Sequence, residues 1–259
     1  FQFKSRQPGF QFEETYVWYE AIGSSLHLGV DGLSLTMVLL TTLLTPLAIL
    51  ASFSISDRVK PYMMLFLFLE TGMLGVFMAL DLLIFFVFWE IGLVPMYFLI
   101  NQWGSANKDY ASLKFMIYTM GGSLGLLLAV QMLGVLFGTY DLVSLYERWN
   151  SLEPGAILLG MSVQTVKTIA FWAFVIAFAI KVPLWPFHTW LPDAHTEAPT
   201  AGSMLLAGVL LKLGAYGFLR LVLPLYPVES KMFAGALALL AVAAIVFGAF
   251  AAYGQTDFK

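Results

Sequence analysis

Three ionisable side chains stand where a bilayer-spanning sequence should have none. Lys181 ends the apolar run FWAFVIAFAIK, Lys212 lies inside LLAGVLLKLGAYGFLR, and Glu90 lies inside LLIFFVFWEIGLVPMYFLIN. A lysine at the bilayer centre costs about 2.5–3.5 kcal/mol on insertion scales, so each charge needs a partner, water or a function. Counted along their runs at 1.5 Å per residue, Glu90 is roughly 12 Å from one end of its span, and all three charges reach similar depth in three different helices. A buried lysine that meets and leaves a carboxylate takes up and releases a proton, so making and breaking a Glu90–Lys181 pair would gate whether Lys181 keeps its proton. The other reading of the same residues is a fixed ion pair that only ties helices together. Two lysines on neighbouring segments beside a helix break favour a path for protons or ions.

The break follows from two prolines. Pro183 and Pro186 come directly after Lys181. Neither has a backbone N–H, so the carbonyls of Ala179 and Val182 are expected to lose their helical partners. Unpaired backbone at membrane depth survives only inside protein or beside water. The helix is therefore expected to stop at Lys181 and resume as a short second half over 187–194. His188 and His195 flank that half, with Asp193 and Glu197 nearby. Their spacing fits no standard metal-ligand pattern, and no metal is assigned. The histidines read as groups that satisfy irregular backbone or pass protons toward an aqueous face. Thr189, Thr196 and Thr200 extend such a chain through water, or cap the helix. Glu70 and Asp81 fall near span ends and read as interfacial structural residues.

The elements that must position these groups are helices in a membrane. The chain has 259 residues, 60% hydrophobic and 11% charged, with a mean hydropathy of +0.84. Soluble domains carry roughly 25% charged residues. The expected architecture is all-α and integral to the membrane, with about seven transmembrane helices. Residues 1–29 read as an extramembrane loop or hairpin, with strand-like alternation in FQFKSRQPGFQF around Pro8–Gly9. Residues 30–259 read as the transmembrane domain, with spans at about 31–53, 61–80, 82–101, 114–138, 166–194 (broken), 199–223 and 231–253. Pro46 should kink the first. Gly121, Gly125, Gly134 and Gly138 have the spacing that lets helices pack closely in lipid. The positive-inside rule favours placing the N-terminal loop outside, which puts Arg58, Lys60, Lys108, Lys114 and Lys259 on the cytoplasmic side, against Lys4, Arg6, Arg148, Arg220 and Lys231 outside. There is no cysteine, so disulfides, thiolate chemistry and cysteine-ligated iron–sulfur clusters are excluded. No phosphate loop, dinucleotide fingerprint, haem signature or nucleophile elbow is present. A net charge of −3 with no basic block offers nothing to nucleic acid. A start at Phe1 and a stop just after an apolar run read as a piece of a longer protein.

Four segments carry a family resemblance: FFVFWEIGLVPMYFLI, AFAIKVPLWPFHTWLPDAHTEAPTAGS, LLAGVLLKLGAYGFLR and HLGVDGLSL at 27–35. They resemble the antiporter-like membrane subunits of respiratory complex I, a family that extends to Mrp-type sodium/proton antiporter subunits and membrane-bound hydrogenase subunits. The resemblance implies a fold of fourteen helices with two inverted five-helix repeats, each with a broken helix. This chain would hold the third to ninth helices, with one complete repeat in its second to sixth spans. It implies that Glu90, Lys181 and Lys212 form the input half of a proton path in the membrane arm, with His188 and His195 near it. The output residue of the twelfth helix has no counterpart here, and Lys259 does not replace it. It also implies no redox site in this chain, the NADH, FMN, iron–sulfur clusters and quinone being bound elsewhere in the complex. The implied partners are other membrane-arm subunits, adjacent antiporter-like subunits among them, and lipid. The implied location is the bacterial inner membrane. Two other functions remain open: a cation/proton antiporter subunit of Mrp type, and a structural scaffold subunit without a complete path of its own. Sodium would need a cluster of oxygen ligands, and Glu90 is the one central acid.

Overall fold

The structure is a computed structural model that describes residues 2–4 and 6–256. Lys259, and Phe1 and Ser5 of the expected N-terminal hairpin, lie outside the described residues. The hairpin itself forms later than expected. Strand β1 (Gln11–Tyr19) pairs antiparallel with β2 (Ser24–Val30), with Thr15 opposite His27. Pro8 and Gly9 precede β1, and the turn is a short 3-10 segment, Glu20–Ile22, closed by Gly23 at φ 70°. A Cβ on Gly23 would come 2.2 Å from the carbonyl oxygen of Gly138, so conformation and space both demand glycine.

Helix α1 (Gly32–Ala51) starts at a capping box, in which Asp31 accepts from the Ser34 N–H (2.9 Å) and Ser34 Oγ accepts from the Asp31 N–H (2.8 Å). Such caps are worth about 1 kcal/mol. Pro46 lies inside α1 without ending it. Helix α2 (Val59–Met78) leads through a tight turn to α3 (Leu82–Ile91) and α4 (Leu93–Trp103). The span expected at 82–101 is one membrane-length segment, Leu82–Trp103, whose two helices meet at Gly92. Pro95 falls in the first turn of α4, where a missing N–H costs nothing.

Asp81 holds the α2–α3 turn. Its carboxylate caps α3 through the N–H groups of Leu83 and Ile84 and accepts from Ser24 Oγ and the Ser25 N–H of the hairpin. Burial pushes the Asp81 carboxyl up, against the pull of these donors. Backbone bonds extend this plate, from Leu80 N–H to the His27 carbonyl and from Leu82 N–H to that of Tyr140 (2.8 Å each).

Helix α5 (Lys108–Phe137) begins before the position expected for it, 114, because its first turn is polar rather than apolar. The amphipathic α6 (Leu142–Asn150) follows, then a two-residue pairing of β3 (Ile157–Leu158) with β4 (Met161–Ser162). Helices α7 (Val163–Lys181) and α8 (Trp190–Glu197) are the two halves of the broken span. The next helix, α9 (Thr200–Leu225), is continuous but contains two π-helical stretches, Leu206–Leu210 and Phe218–Val222. The short α10 (Pro227–Met232) and the long α11 (Ala234–Tyr253) complete the described chain.

Among the described residues, seven helices are long and apolar enough to cross a membrane: α1, α2, α3 with α4, α5, α7, α9 and α11. The protein is an all-α integral membrane protein with two small hairpins. One core joins α2 to α9, centred on Phe66, Phe85, Trp89, Phe174 and Phe178. By contrast, no residue of α11 is buried.

The expected stripe of four packing glycines on α5 is corrected. A Cβ on Gly121 would meet nothing within 4 Å, and Gly138 ends the helix at φ 63°. Only Gly125, beside Ala173, and Gly134, beside the Tyr140 ring, face neighbours; the other close approach on α5 is Gly122 against Ile180.

Candidate functional site at the broken helix

Lys181 is buried at the last turn of α7. Its ammonium lies 4.9 Å from the centre of the Trp89 ring. A desolvated cation–π contact of this kind is worth about 2 kcal/mol. The indole is fixed in turn, since Trp89 Nε1 donates to Ser123 Oγ of α5 (3.1 Å). The contact ion pair expected between Lys181 and Glu90 is not formed: among the described residues no ion pair within 4.0 Å involves either. Consecutive residues of α3 point about 100° apart around the helix, and it is Trp89, not Glu90, that covers the ammonium. Glu90 is still near enough to act on Lys181 through space. Its Oε1 is buried without a hydrogen-bond partner.

The break itself is tidier than two prolines imply. Leu184 N–H reaches the Ala179 carbonyl (2.8 Å), so that acceptor is not lost as expected. The buried indole of Trp190 donates to the Ile180 carbonyl (2.9 Å). The Trp185–Pro186 peptide is cis. Residues 187–189 form turns, with Leu191 N–H on the His188 carbonyl (3.0 Å), so the second half starts at Trp190 rather than at Phe187.

A ladder of contacts fixes which way α8 faces. Thr189 Oγ1 donates to Tyr118 OH (2.8 Å) and Lys114 Nζ to Asp193 Oδ2 (2.6 Å). Glu197 accepts from the Asn107 N–H through its side chain and from the Ser105 N–H through its carbonyl (3.0 Å each). Positions 189, 193 and 197 share one helix face, and that face lies on α5 and the turn before it. Asp193 and Glu197 therefore turn away from the histidines. His188 and His195 instead line a cavity of about 390 Å3, with Pro183, Trp185, Thr196 and Gly248 of α11. The Nδ1 atoms of both histidines are buried without a partner. Among the described residues, no group of three or more His, Cys, Asp or Glu side chains is placed to hold a metal ion.

Lys212, expected deep within its apolar run, has surroundings unlike those of Lys181. It lies in the middle of α9 but is exposed, and its ammonium donates to the Ala207 carbonyl inside the first π stretch. The two helices nevertheless meet closely. A Cβ on Gly214 would lie 2.7 Å from Val182 Cγ2, and one on Gly217 2.6 Å from the Phe178 ring. These two glycines were missed in the sequence, although the pair inside KLGAYG stands right beside Lys212.

Arg220 was also missed. Expected only as a charge at the outer end of its span, it is buried in the second π stretch of α9. It donates to Asp31 Oδ1 (2.6 Å) and to Tyr216 OH (3.1 Å), packs 5.0 Å from the Phe10 ring centre, and offers its carbonyl to Tyr146 OH. Burial raises the Asp31 carboxyl, but the Arg220 bond and the Ser34 N–H outweigh it and hold it below the ordinary carboxylate value.

The chain is similar in sequence and fold to known proteins. A family model described as "NADH:quinone oxidoreductase/Mrp antiporter, TM" matches residues 79–259. Another, "NADH-ubiquinone oxidoreductase chain 4, amino terminus", matches residues 12–80. The chain is 45% identical over 259 residues to NADH-quinone oxidoreductase subunit M of Rhodobacter capsulatus, covering 99% of this chain and 50% of the relative. It is 43% identical to the subunit M of Rickettsia conorii, again over 50% of the relative. It thus spans about half the length of the curated relatives it matches. Among solved structures, respiratory complex I from Thermus thermophilus with bound NADH contains a chain that is 31% identical, with a TM-score of 0.82 over 98% of this chain and 51% of that one. The Mrp complex from Dietzia sp. shares the fold, at 24% identity and a TM-score of 0.71 over 88% of this chain and 24% of that one. By these matches the chain belongs to the NADH:quinone oxidoreductase/Mrp antiporter membrane family.

Proposed function

We propose that the chain is the first-repeat part of a proton-translocating, antiporter-like subunit of NADH:quinone oxidoreductase, and that it supplies the input half of a proton path in the membrane arm. The observation that carries this is Lys181. It is buried at the end of a broken helix, in no ion pair among the described residues, and acted on by a carboxylate whose own buried oxygen is unpaired. A static glue would show the two charges in contact. A charge meant to gain and lose a proton needs the second arrangement, in which small movements make or break the pair.

In this reading Glu90 attracts and releases the Lys181 proton through space. Trp89 keeps the ammonium from closing fully onto the carboxylate. His188 and His195 hand protons through the cavity beyond the break. Lys212 takes the charge onward from the exposed side of α9. No cofactor is assigned to this chain, and NADH, FMN, iron–sulfur clusters and quinone act elsewhere in the complex. The partners are other membrane-arm subunits, adjacent antiporter-like subunits and lipid, in a bacterial inner membrane. The same family model also covers Mrp antiporters, which favours a cation/proton antiporter subunit as the second reading. A scaffold with static charges is the third.

The test uses the full-length protein in its assembled complex. Lys181→Met and Glu90→Gln should each abolish or strongly reduce proton pumping in vesicles while the complex persists on a native gel. Intact pumping in an assembled Lys181→Met complex would overturn the proposal and leave the scaffold reading. Sodium-driven transport that survives proton uncoupling would favour the Mrp reading.

A further inference from the structure

The other end of α7 holds a second buried charge that the proposed path does not use. Lys167 lies fourteen residues before Lys181, about 21 Å along the helix at 1.5 Å per residue. It is only 8% exposed, and Glu229 of α10 is 1% exposed. Glu229 Oε1 accepts from Gln164 Nε2 at 2.9 Å. Lys167 does not reach it: among the described residues no ion pair within 4.0 Å and no hydrogen bond involves the Lys167 ammonium, although the two charges interact through space. The ammonium instead lies 5.3 Å from the Trp149 ring centre. Trp149 packs edge-on against Tyr226 at 6.2 Å, and both are completely buried.

Three polar atoms from these same segments have no protein partner. Trp149 Nε1, Tyr226 OH and Ser230 Oγ are all buried and unpaired. Buried polar groups are almost always bonded to protein or to ordered water. Their inventory says which ligand fits. The ammonium brings three N–H donors and the indole one, and the two hydroxyls add one each, against the unshared oxygen of Glu229 and the hydroxyl lone pairs as acceptors. A metal cation is excluded by the ammonium and the indole N–H, and an anion by the carboxylate. Water, which both donates and accepts, is the ligand that closes the count.

We propose that Trp149, Lys167, Tyr226 and Glu229 enclose a hydrated site whose ordered water molecules bridge the Lys167 ammonium to the Glu229 carboxylate. The site joins α6, α7 and α10. It does not rest on the proton-path reading, because it is a statement about bound water alone.

The test is hydroxyl-radical footprinting by pulsed X-rays, on the full-length protein in its native complex. Radicals formed from bound water label side chains next to it, even where bulk water is excluded. Trp190 and Tyr62 are matched controls: they are buried as deeply but bonded within the protein, to the Ile180 carbonyl and to Ser52 Oγ. Trp149 should label at least about fivefold faster than Trp190, and Tyr226 faster than Tyr62, as expected for side chains touching internal water. The double variant Lys167→Met/Glu229→Met should bring both rates down to those of the controls. Rates equal to the controls in the unmodified protein would overturn the proposal, and this comparison stands even if the double variant fails to assemble. A map of the complex that resolves waters elsewhere in the membrane arm but shows none within hydrogen-bond distance of Trp149 Nε1 would overturn it as well.

Discussion

The two lysine-bearing spans, α7 and α9, interrupt their helical hydrogen bonding in different ways. After Lys181 the chain stops, turns through Pro183 and Pro186, and restarts at Trp190. Around Lys212 the helix never stops, but two π stretches flank the lysine. Prolines remove donors, so the α7 break must be mended from outside, by the Trp190 indole, and from one residue further along the chain, by the Leu184 N–H. A π stretch keeps its donors and only shifts their register, so α9 needs no such mending. The lysines differ accordingly, Lys181 buried under an aromatic ring and Lys212 exposed on a carbonyl of its own helix. The lesson is that position within an apolar run and burial are separate properties, and that the same residue type in two neighbouring apolar spans meets opposite surroundings.

Several changes would break or sharpen this contrast. The largest effect is expected at the end of α9. Arg220→Met leaves Asp31 without its cation and Tyr216 without its donor, and should cost roughly 3 kcal/mol, as for other broken buried pairs; unfolding of the purified protein in detergent measures it. A smaller loss is expected where the two helices touch. Gly214→Val drives a side chain into Val182 and the Phe178 carbonyl and should cost about 1–3 kcal/mol as overpacking. Gly121→Val, with open space around it, is the matched control and should leave the same unfolding transition unmoved.

At the α7 break, Asp193→Asn weakens the Lys114 rung, whose partners are partly exposed, so the loss should be about 1 kcal/mol or less. Amide exchange should then rise in α8 and stay unchanged in α9; a rise spread equally over both would show that the ladder does not hold α8 locally. The Asp31–Arg220 bond also predicts a pH effect of known sign. Asp31 is held below the ordinary carboxylate value, so its contribution to stability is complete above that value and fades as pH falls through the lowered one. The gap in stability between wild type and Arg220→Met should therefore narrow in acid, and a gap that widened would sink the assignment. The smallest effect is Lys212→Met: as an exposed substitution it should change stability by no more than ~0.5 kcal/mol, whatever it does to proton pumping.

Much of the fold was legible in advance. Apolar runs of the length of a bilayer marked the helices, and Pro183 and Pro186 marked the break beside Lys181. The boundaries that slipped did so for local reasons. α5 starts before 114 because its first turn is polar and carries no apolar signal, and Glu197, from far along the chain, bonds the Asn107 N–H just before it. The second half of the broken span starts late because residues 187–189 make turns. The glycine stripe on α5 was misread because spacing alone does not say which face meets protein: Gly121 meets nothing, and Gly122 beside it meets Ile180.

By itself the sequence determined the class of protein and the seven apolar spans, because length and hydropathy translate directly into segments able to cross a bilayer. The tertiary structure alone decided what each charge faces. It put Trp89 rather than Glu90 over Lys181, left Lys212 exposed, turned His188 and His195 into a cavity, and brought Arg220 from the end of α9 onto Asp31 at the start of α1. The physical reason is that lipid and protein interior are alike apolar. A helix in water displays its buried face as a stripe of hydrophobic residues, whereas a helix in a membrane carries no such stripe, and only its neighbours say which side is inside.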